Sequence, residues 1–278
     1  MAFFIGNTFC RICQSSEEKL KTELAACVRG LFAKGLVSSG GGNHSARMPG
    51  SDGIWITPSG YPRSDTKPED LVKIGLEGNV LEGSLRPSIE VPFHTEIYRR
   101  RPDVNAVVHT HSPYTQGITL AGFLEQAQSK EATNFAMHVF DQEPKIPLAH
   151  GEGALVLGDI PILKFPEELG EVALIPYLNP GARELAKLVG DASIGKALRP
   201  IRIMVLINHG VIGMGACIHE ARAFVEIMEE WARFLTVSKI FGGPKHLVKP
   251  SDLQGLGVRY ARAIKFGGRK APLETKTS

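Results

Sequence analysis

The chain has 278 residues, 43% of them hydrophobic, enough for one large domain or two ordinary ones with a sizeable core. Its 32 basic and 29 acidic residues leave a formal charge of +3, and the excess is concentrated from Arg259 onward, so neither nucleic-acid nor membrane-surface binding is indicated. No apolar run approaches the ~18 residues of a membrane span, "MAFFIGNTFCRIC" lacks the features of a secretory leader, and four cysteines make no disulfide framework; the expectation is a soluble cytoplasmic protein. Cys10 and Cys13 resemble half of a zinc knuckle or a redox pair, but no second pair follows them. Cys27 and Cys217 read as packing residues.

In chain order, the first element expected is an amphipathic helix over 15–36. It opens on a Ser15-x-x-Glu18 capping box, carries Leu20, Leu24, Cys27/Val28 and Leu31/Phe32 at helical spacing, and stops near Gly35. Residues 38–74 alternate short β-like runs ("HSARM", "IWITP") with Gly, Pro, Asp and Ser clusters. A hairpin is expected over 72–83, turning at Gly78-Asn79. A helix should start near Pro92 with Phe93, Ile97 and Tyr98 inward and end before Pro102. "VNAVVHTHS" reads as a strand and "PYTQGITLAG" as a helix. Between Phe140 and Pro180 prolines and glycines surround short apolar pieces, and an irregular, loop-rich segment is expected. A helix over 180–192, two strands around a turn at Asn208–Gly210, and a long helix over 217–242 complete the chain. Helices alternate with strands, which favours an α/β fold with helices layered on a sheet.

One stretch raises a chemical question. In "AVVHTHS" (106–112), His109 and His111 stand two residues apart, and in a strand residues i and i+2 share a face. Two such imidazoles can take two positions on one zinc ion, or they can simply form a hydrogen-bonded pair at a strand end. A catalytic zinc normally takes three protein ligands. His209 is the best third candidate, because it follows the apolar run "IMVLIN" and precedes Gly210. His94, His138, His150, His219 and His246 are weaker, lying on helices or in irregular segments. Glu90 precedes a Pro-initiated helix, where a carboxylate can serve chemistry or merely complement the helix N-terminus. "SGGGN" (39–43) can cradle an anion with successive N–H groups, with Asn43 and Ser45 adding side-chain bonds. "ITPSG" (56–60) is a second polar turn.

Taken together and in order, "SGGGNHSAR", "WITPSGYP", "PSIEVPFHTEIYRRRPDVNAVVHTHS" and "INHGVIGMG" resemble the class II aldolase/adducin family, over about residues 17–125 and 172–240. The motif spelling is most similar to the L-fuculose-1-phosphate aldolase type. The resemblance implies a three-layer αβα sandwich with a central, largely antiparallel sheet. It implies one such domain over 1–278, with an insertion at about 140–172 and a basic tail at about 257–278. It also implies a homotetramer with active sites between subunits, acting on a small sugar phosphate and on neither nucleic acid nor membrane. Matched by motif, His109, His111 and His209 would hold Zn2+ (or another divalent ion such as Mn2+), and Glu90 would be the catalytic acid/base. Asn43, Ser59, Gly60 and Ser88 match positions that hold the substrate phosphate.

The implied activity is cleavage of a ketose phosphate such as L-fuculose 1-phosphate into dihydroxyacetone phosphate and L-lactaldehyde. Decarboxylases of hydroxylated aromatic acids on the same scaffold are the enzymatic alternative; a non-catalytic adducin-like domain would have lost the histidines, and all three are present. The chain also departs from the family. A phosphate-binding hydroxyl falls at Gly40, and a serine preceding the acid is Ile89; each loss removes a bond of ~1.5–3 kcal/mol to a charged group. The tyrosine that serves as second acid is absent from "EATNFAMHVF" (131–140), which leaves Tyr260 as a remote candidate.

Overall fold

The structure, a computed structural model, describes residues 16–121, 137–138, 171–194 and 201–243. The expectations for Cys10, Cys13, Tyr260, His150, His246 and the basic tail lie outside the described residues.

Helix α1 (Glu17–Ala33) forms because Leu20, Leu24, Cys27, Val28 and Leu31 recur every three or four residues and all are buried. Its cap is Ser16, one residue later than the sequence suggested: Ser16 Oγ accepts from the Lys19 N–H at 3.2 Å. Two adjacent serines offer the same capping chemistry, so only the backbone distinguishes them. Gly35, at φ +71°, ends the helix as expected.

Nine strands form one sheet in the order β4-β3-β2-β1-β5-β9-β8-β7-β6. They are β1 (Asn43–Arg47), β2 (Ile54–Ile56), β3 (Val72–Ile74), β4 (Val80–Glu82), β5 (Ala106–Thr110), β6 (Met137–His138), β7 (Glu171–Ile175), β8 (Ile201–Leu206) and β9 (Gly210–Gly215). Every pairing is antiparallel except β7 with β8. That parallel pair requires a crossover, and α4 (Arg183–Ser193) supplies it. The strand at Glu171–Ile175 is a difference from the sequence reading, which treated residues up to Pro180 as irregular. "EVALI" is a short buried strand flanked by proline and glycine, and it shows none of the polar alternation that marks a half-exposed one.

The remaining helices are α2 (Val91–Arg100), α3 (Pro113–Leu120) and α5 (Ile218–Ile240). Alternate residues of the central strands feed opposite cores. Ala106 and Val108 pack with Leu24, Leu31, Ile118, Val225 and Trp231 beneath α1, α3 and α5. Val107, Ile212 and Met214 pack with Phe93, Ile97, Leu185 and Val189 beneath α2 and α4. The result is the three-layer αβα sandwich around a largely antiparallel sheet. Each fully buried Leu or Ile contributes roughly 1.5–3 kcal/mol to holding these layers together, so the central strands are the least free part of the molecule.

Candidate active site

The site lies where β5 ends. Ladder register places Asn43 opposite His109 on one side and Ile212 opposite it on the other. His109 therefore projects toward α2, with Asn43 beside it on the same face. His111 stands just beyond the strand end. The β8–β9 turn, with Asn208 in the left-handed region at φ +56°, brings His209 to the same place. Gly210 is required there, because a Cβ would sit 2.6 Å from His109 Cε1 and closer still to the Thr110 carbonyl.

The three rings are mutual neighbours, with centroids 5.2 Å (His109–His111), 4.9 Å (His109–His209) and 5.8 Å (His111–His209) apart. One nitrogen from each lies within 4.8 Å of the other two. Among the described residues no other group of histidines, cysteines and carboxylates converges in this way. His94, grouped with the weaker candidates, is buried nearby in α2; His219 is exposed and 4.0 Å from Glu23.

Glu90 is the N-cap residue of α2, yet its side chain makes no capping bond. It turns into the site instead. Oε2 accepts from Asn43 Nδ2 at 2.6 Å and lies 3.3 Å from His109 Nε2; Oε1 lies 3.2 Å from His209 Nε2. Of the two readings open for a carboxylate at this position, the geometry therefore gives the one directed at the histidines. Burial opposes ionisation of Glu90, but the imidazoles of His109 and His209 and the Asn43 N–H outweigh it and hold its carboxyl well below the usual carboxylate range. Burial lowers His109 to about 3 against the opposing pull of Glu90, and it also lowers His111, helped by His209. Neutral rings keep the lone pairs that bind a cation.

The residues fit a divalent ion. His109 Nδ1 lies 3.1 Å from the Val211 carbonyl, which can only accept, so the ring proton is on Nδ1 and Nε2 carries a lone pair. That Nε2 is buried and makes no hydrogen bond, and Glu90 Oε1 and His209 Nδ1 are likewise unpaired. Buried polar atoms left in this state are costly unless something pairs with them. Three such rings around a carboxylate offer the donor set of a catalytic metal centre.

Of the positions matched to phosphate binding, Asn43 is buried and engaged at both ends, by Glu90 and by His94 Nε2 at 2.6 Å. Ser88 is buried and its Oγ accepts from the Glu90 N–H at 3.2 Å. Ser59 and Gly60 are exposed, as are Gly40 and Ile89. Ser45, read from sequence as a further anion contact, is fully buried and bonds His94 Nδ1 at 2.7 Å and Tyr98 Oη at 2.8 Å.

Sequence reasoning missed Arg63. Its buried guanidinium donates to the carbonyls of Gly41 (3.1 Å), Pro58 (3.0 Å), Gly40 (3.4 Å) and Gly42 (2.7 Å). The "SGGG" and "TPSG" turns are thereby fastened to one side chain. The second turn is tied in turn to 86–88 through Ser59 N–H to Arg86 O (2.9 Å) and Ser88 N–H to Thr57 O (3.2 Å). Nothing in the local pattern around Arg63 signals this, because all its acceptors are backbone groups.

A sheet end carrying convergent imidazoles and an ionised carboxylate is the construction of a metal-assisted enzyme, set here on an αβα sandwich. The chain belongs to the class II aldolase and adducin family: the sequence model of the Class II Aldolase and Adducin N-terminal domain matches residues 22–236. Relatives include the 5-deoxy-D-ribulose 1-phosphate aldolase of Bacillus thuringiensis serovar kurstaki, 28% identical over 87% of this chain and 96% of that protein. The 3-oxo-tetronate 4-phosphate decarboxylase of Escherichia coli K12 is 27% identical over 80% of this chain and 88% of that one. The crystal structure of L-fuculose-1-phosphate aldolase from Thermus thermophilus is 27% identical, covers 82% of this chain and 98% of its own, and superposes with a TM-score of 0.57.

Proposed function

We propose that the chain is a divalent-metal-dependent aldolase that reversibly cleaves a ketose 1-phosphate such as L-fuculose 1-phosphate into dihydroxyacetone phosphate and an aldehyde. The observation that carries this reading is the Glu90 carboxylate suspended 3.3 Å from His109 Nε2 and 3.2 Å from His209 Nε2. His109, His111 and His209 would hold the ion, with Zn2+ the favoured identity. Such an ion supplies electrophilic charge that draws electron density from a substrate carbonyl as the adjacent carbon–carbon bond breaks.

The protein's own groups do the rest. In the direction of synthesis, Glu90 Oε1 takes a proton from the carbon beside the carbonyl; in cleavage it delivers a proton to that carbon, while the proton on the hydroxyl that becomes the aldehyde passes to a second acid/base, the role for which Tyr260 is the remote candidate. Asn43 keeps the carboxylate aimed while this happens, and the Ser88 hydroxyl anchors the backbone N–H of the same residue. Ser59, Gly60 and Ser88, on segments tied by Arg63 and by the Thr57–Ser88 bond, would form the rim that receives an anionic substrate end. Two relatives named as acting on ketose 1-phosphates support this choice of substrate class.

Decarboxylation is the second reading. It is favoured by the likeness to a 3-oxo-tetronate 4-phosphate decarboxylase. Both reactions break a bond next to a polarised carbonyl and differ in what leaves. A panel of ketose phosphates and β-keto or hydroxylated aromatic acids, run on chelated and zinc-restored protein, separates them: aldehyde release supports the first reading and CO2 release the second. For assembly, we propose a homotetramer. Exposed Phe234, Val237, Ile240 and Phe241 on the last turns of α5 and just beyond would suit a subunit contact, and a fully active monomer by sedimentation would exclude it.

A further inference from the structure

Behind Glu90 runs a buried line of polar side chains that the reaction does not touch: Asn43, His94, Ser45 and Tyr98. The contacts are Glu90 Oε2 to Asn43 Nδ2, 2.6 Å; Asn43 Oδ1 to His94 Nε2, 2.6 Å; His94 Nδ1 to Ser45 Oγ, 2.7 Å; and Ser45 Oγ to Tyr98 Oη, 2.8 Å. We infer that His94 is a positioning residue: locked in its Nε2–H tautomer by Ser45 and Tyr98, it fixes the facing of the Asn43 amide and so leaves Glu90 with one oxygen tied and the other free to move a proton. This rests on Glu90 being the proton-transfer group.

The direction of each bond follows from what each atom can do. A carboxylate only accepts, so the Asn43 atom against Glu90 is the amide nitrogen and its carbonyl faces His94. A carbonyl only accepts, so His94 Nε2 carries a proton. His94 is fully buried with no carboxylate in contact, and a charged ring there would be costly, so it is neutral and Nδ1 is bare. Ser45 must therefore donate to Nδ1, and its oxygen is left to accept from Tyr98. The Val107 backbone N–H engages the Tyr98 oxygen, which leaves the phenol proton for Ser45. Every donor points the same way, from Tyr98 to Glu90.

The opposite tautomer would set a lone pair of His94 against Asn43. The amide would then face competing demands, its nitrogen drawn to His94 and its oxygen turned on a carboxylate. With the Nε2–H tautomer both neighbours ask for the same orientation. Oε2 of Glu90 is then permanently bonded, while Oε1 is buried with only the His209 ring edge beside it, 3.2 Å from Nε2 and out of line for a hydrogen bond. One oxygen holds the group in place and the other is available to substrate.

The test has two arms. In protein carrying 15N-labelled histidine, metal-free and zinc-loaded, the His94 signals, identified by their loss in His94→Gln, should show a protonated Nε2 and a bare Nδ1. A proton on Nδ1 would overturn the inference whatever reaction the protein catalyses, whereas a protein with this tautomer that cleaved nothing would count against the functional reading alone. In the kinetic arm, His94→Leu should lower kcat by about 10- to 100-fold with KM and zinc content little changed, the loss expected when the Asn43 amide is freed to turn away from the charged Glu90. His94→Gln, whose amide nitrogen can replace Nε2–H, should recover most of that rate. Tyr98→Phe, which frees Ser45 to reverse, should fall between them. Equal rates in His94→Gln and His94→Leu would reduce His94 to packing and refute the role; if His94→Leu does not fold, a His94→Gln rate no better than that of Asn43→Ala does the same.

Discussion

His109 Nδ1 and the Val211 carbonyl, 3.1 Å apart, come from neighbouring strands, and their bond fixes the ring so that its other nitrogen faces His209 and Glu90. The backbone of β9 is thus the outer partner that orients this proposed metal ligand.

Metal content follows directly. The wild-type chain should bind about one divalent ion, and His209→Ala or His111→Ala should lose most of it, measured by elemental analysis after dialysis. Zinc at ~100-fold above its Kd should raise stability by about 2.7 kcal/mol, and neither variant should show that gain. Full stoichiometry in His209→Ala would remove it from the ligand set.

Glu90→Gln keeps the size and the Asn43 contact region while removing the base. Zinc content should be unchanged and turnover should fall by about 10²–10⁴-fold. A near-normal rate would exclude the proton-transfer role.

Arg63→Met should destabilise the fold by about 2–4 kcal/mol, because four buried or half-buried carbonyls lose their donor. Urea unfolding reads this. In the folded variant, KM for a phosphorylated substrate should rise more than kcat falls, since Arg63 holds the rim and does not touch Glu90.

His94 also predicts a pH dependence of stability. Burial lowers its pKa from the ordinary 6.5 to about 3, so the unfolded chain takes up a proton first as pH falls. The contribution is complete above about 6.5 and is lost progressively toward pH 3. His109 and His44 are lowered by burial in the same sense and remain in the variant. In metal-free protein, unfolding free energy should therefore fall with pH less steeply in His94→Gln than in wild type, by up to about 1.4 kcal/mol per pH unit. Parallel slopes would show that the His94 ring is already charged in the folded state.

Much of this was legible in the residues. Prolines and glycines marked α2, the 72–83 hairpin and the β8–β9 turn, and period-three and -four leucines marked α1. The i, i+2 spacing put His109 and His111 on one side, and the apolar run before His209 with Gly210 after it singled out the third ring, but the choice of Glu90 leaned on family resemblance, since a carboxylate before a helix serves its N-terminus equally well. Glu171–Ile175 escaped because a buried strand has no polar face to betray it. Ser45 and Asn43 were read as facing a ligand; their partners His94 and Glu90 sit on a helix whose approach only the tertiary fold reveals. Arg63 was silent for the same reason.

The ladder between β5 and β9 pairs Thr110 with Val211 and His109 with Ile212. Two ends of the histidine set, about a hundred positions apart in the chain, are thus clamped by hydrogen bonds between adjacent strands. A slip of one residue in that ladder would turn His109 to the opposite face of the sheet and disperse the three rings.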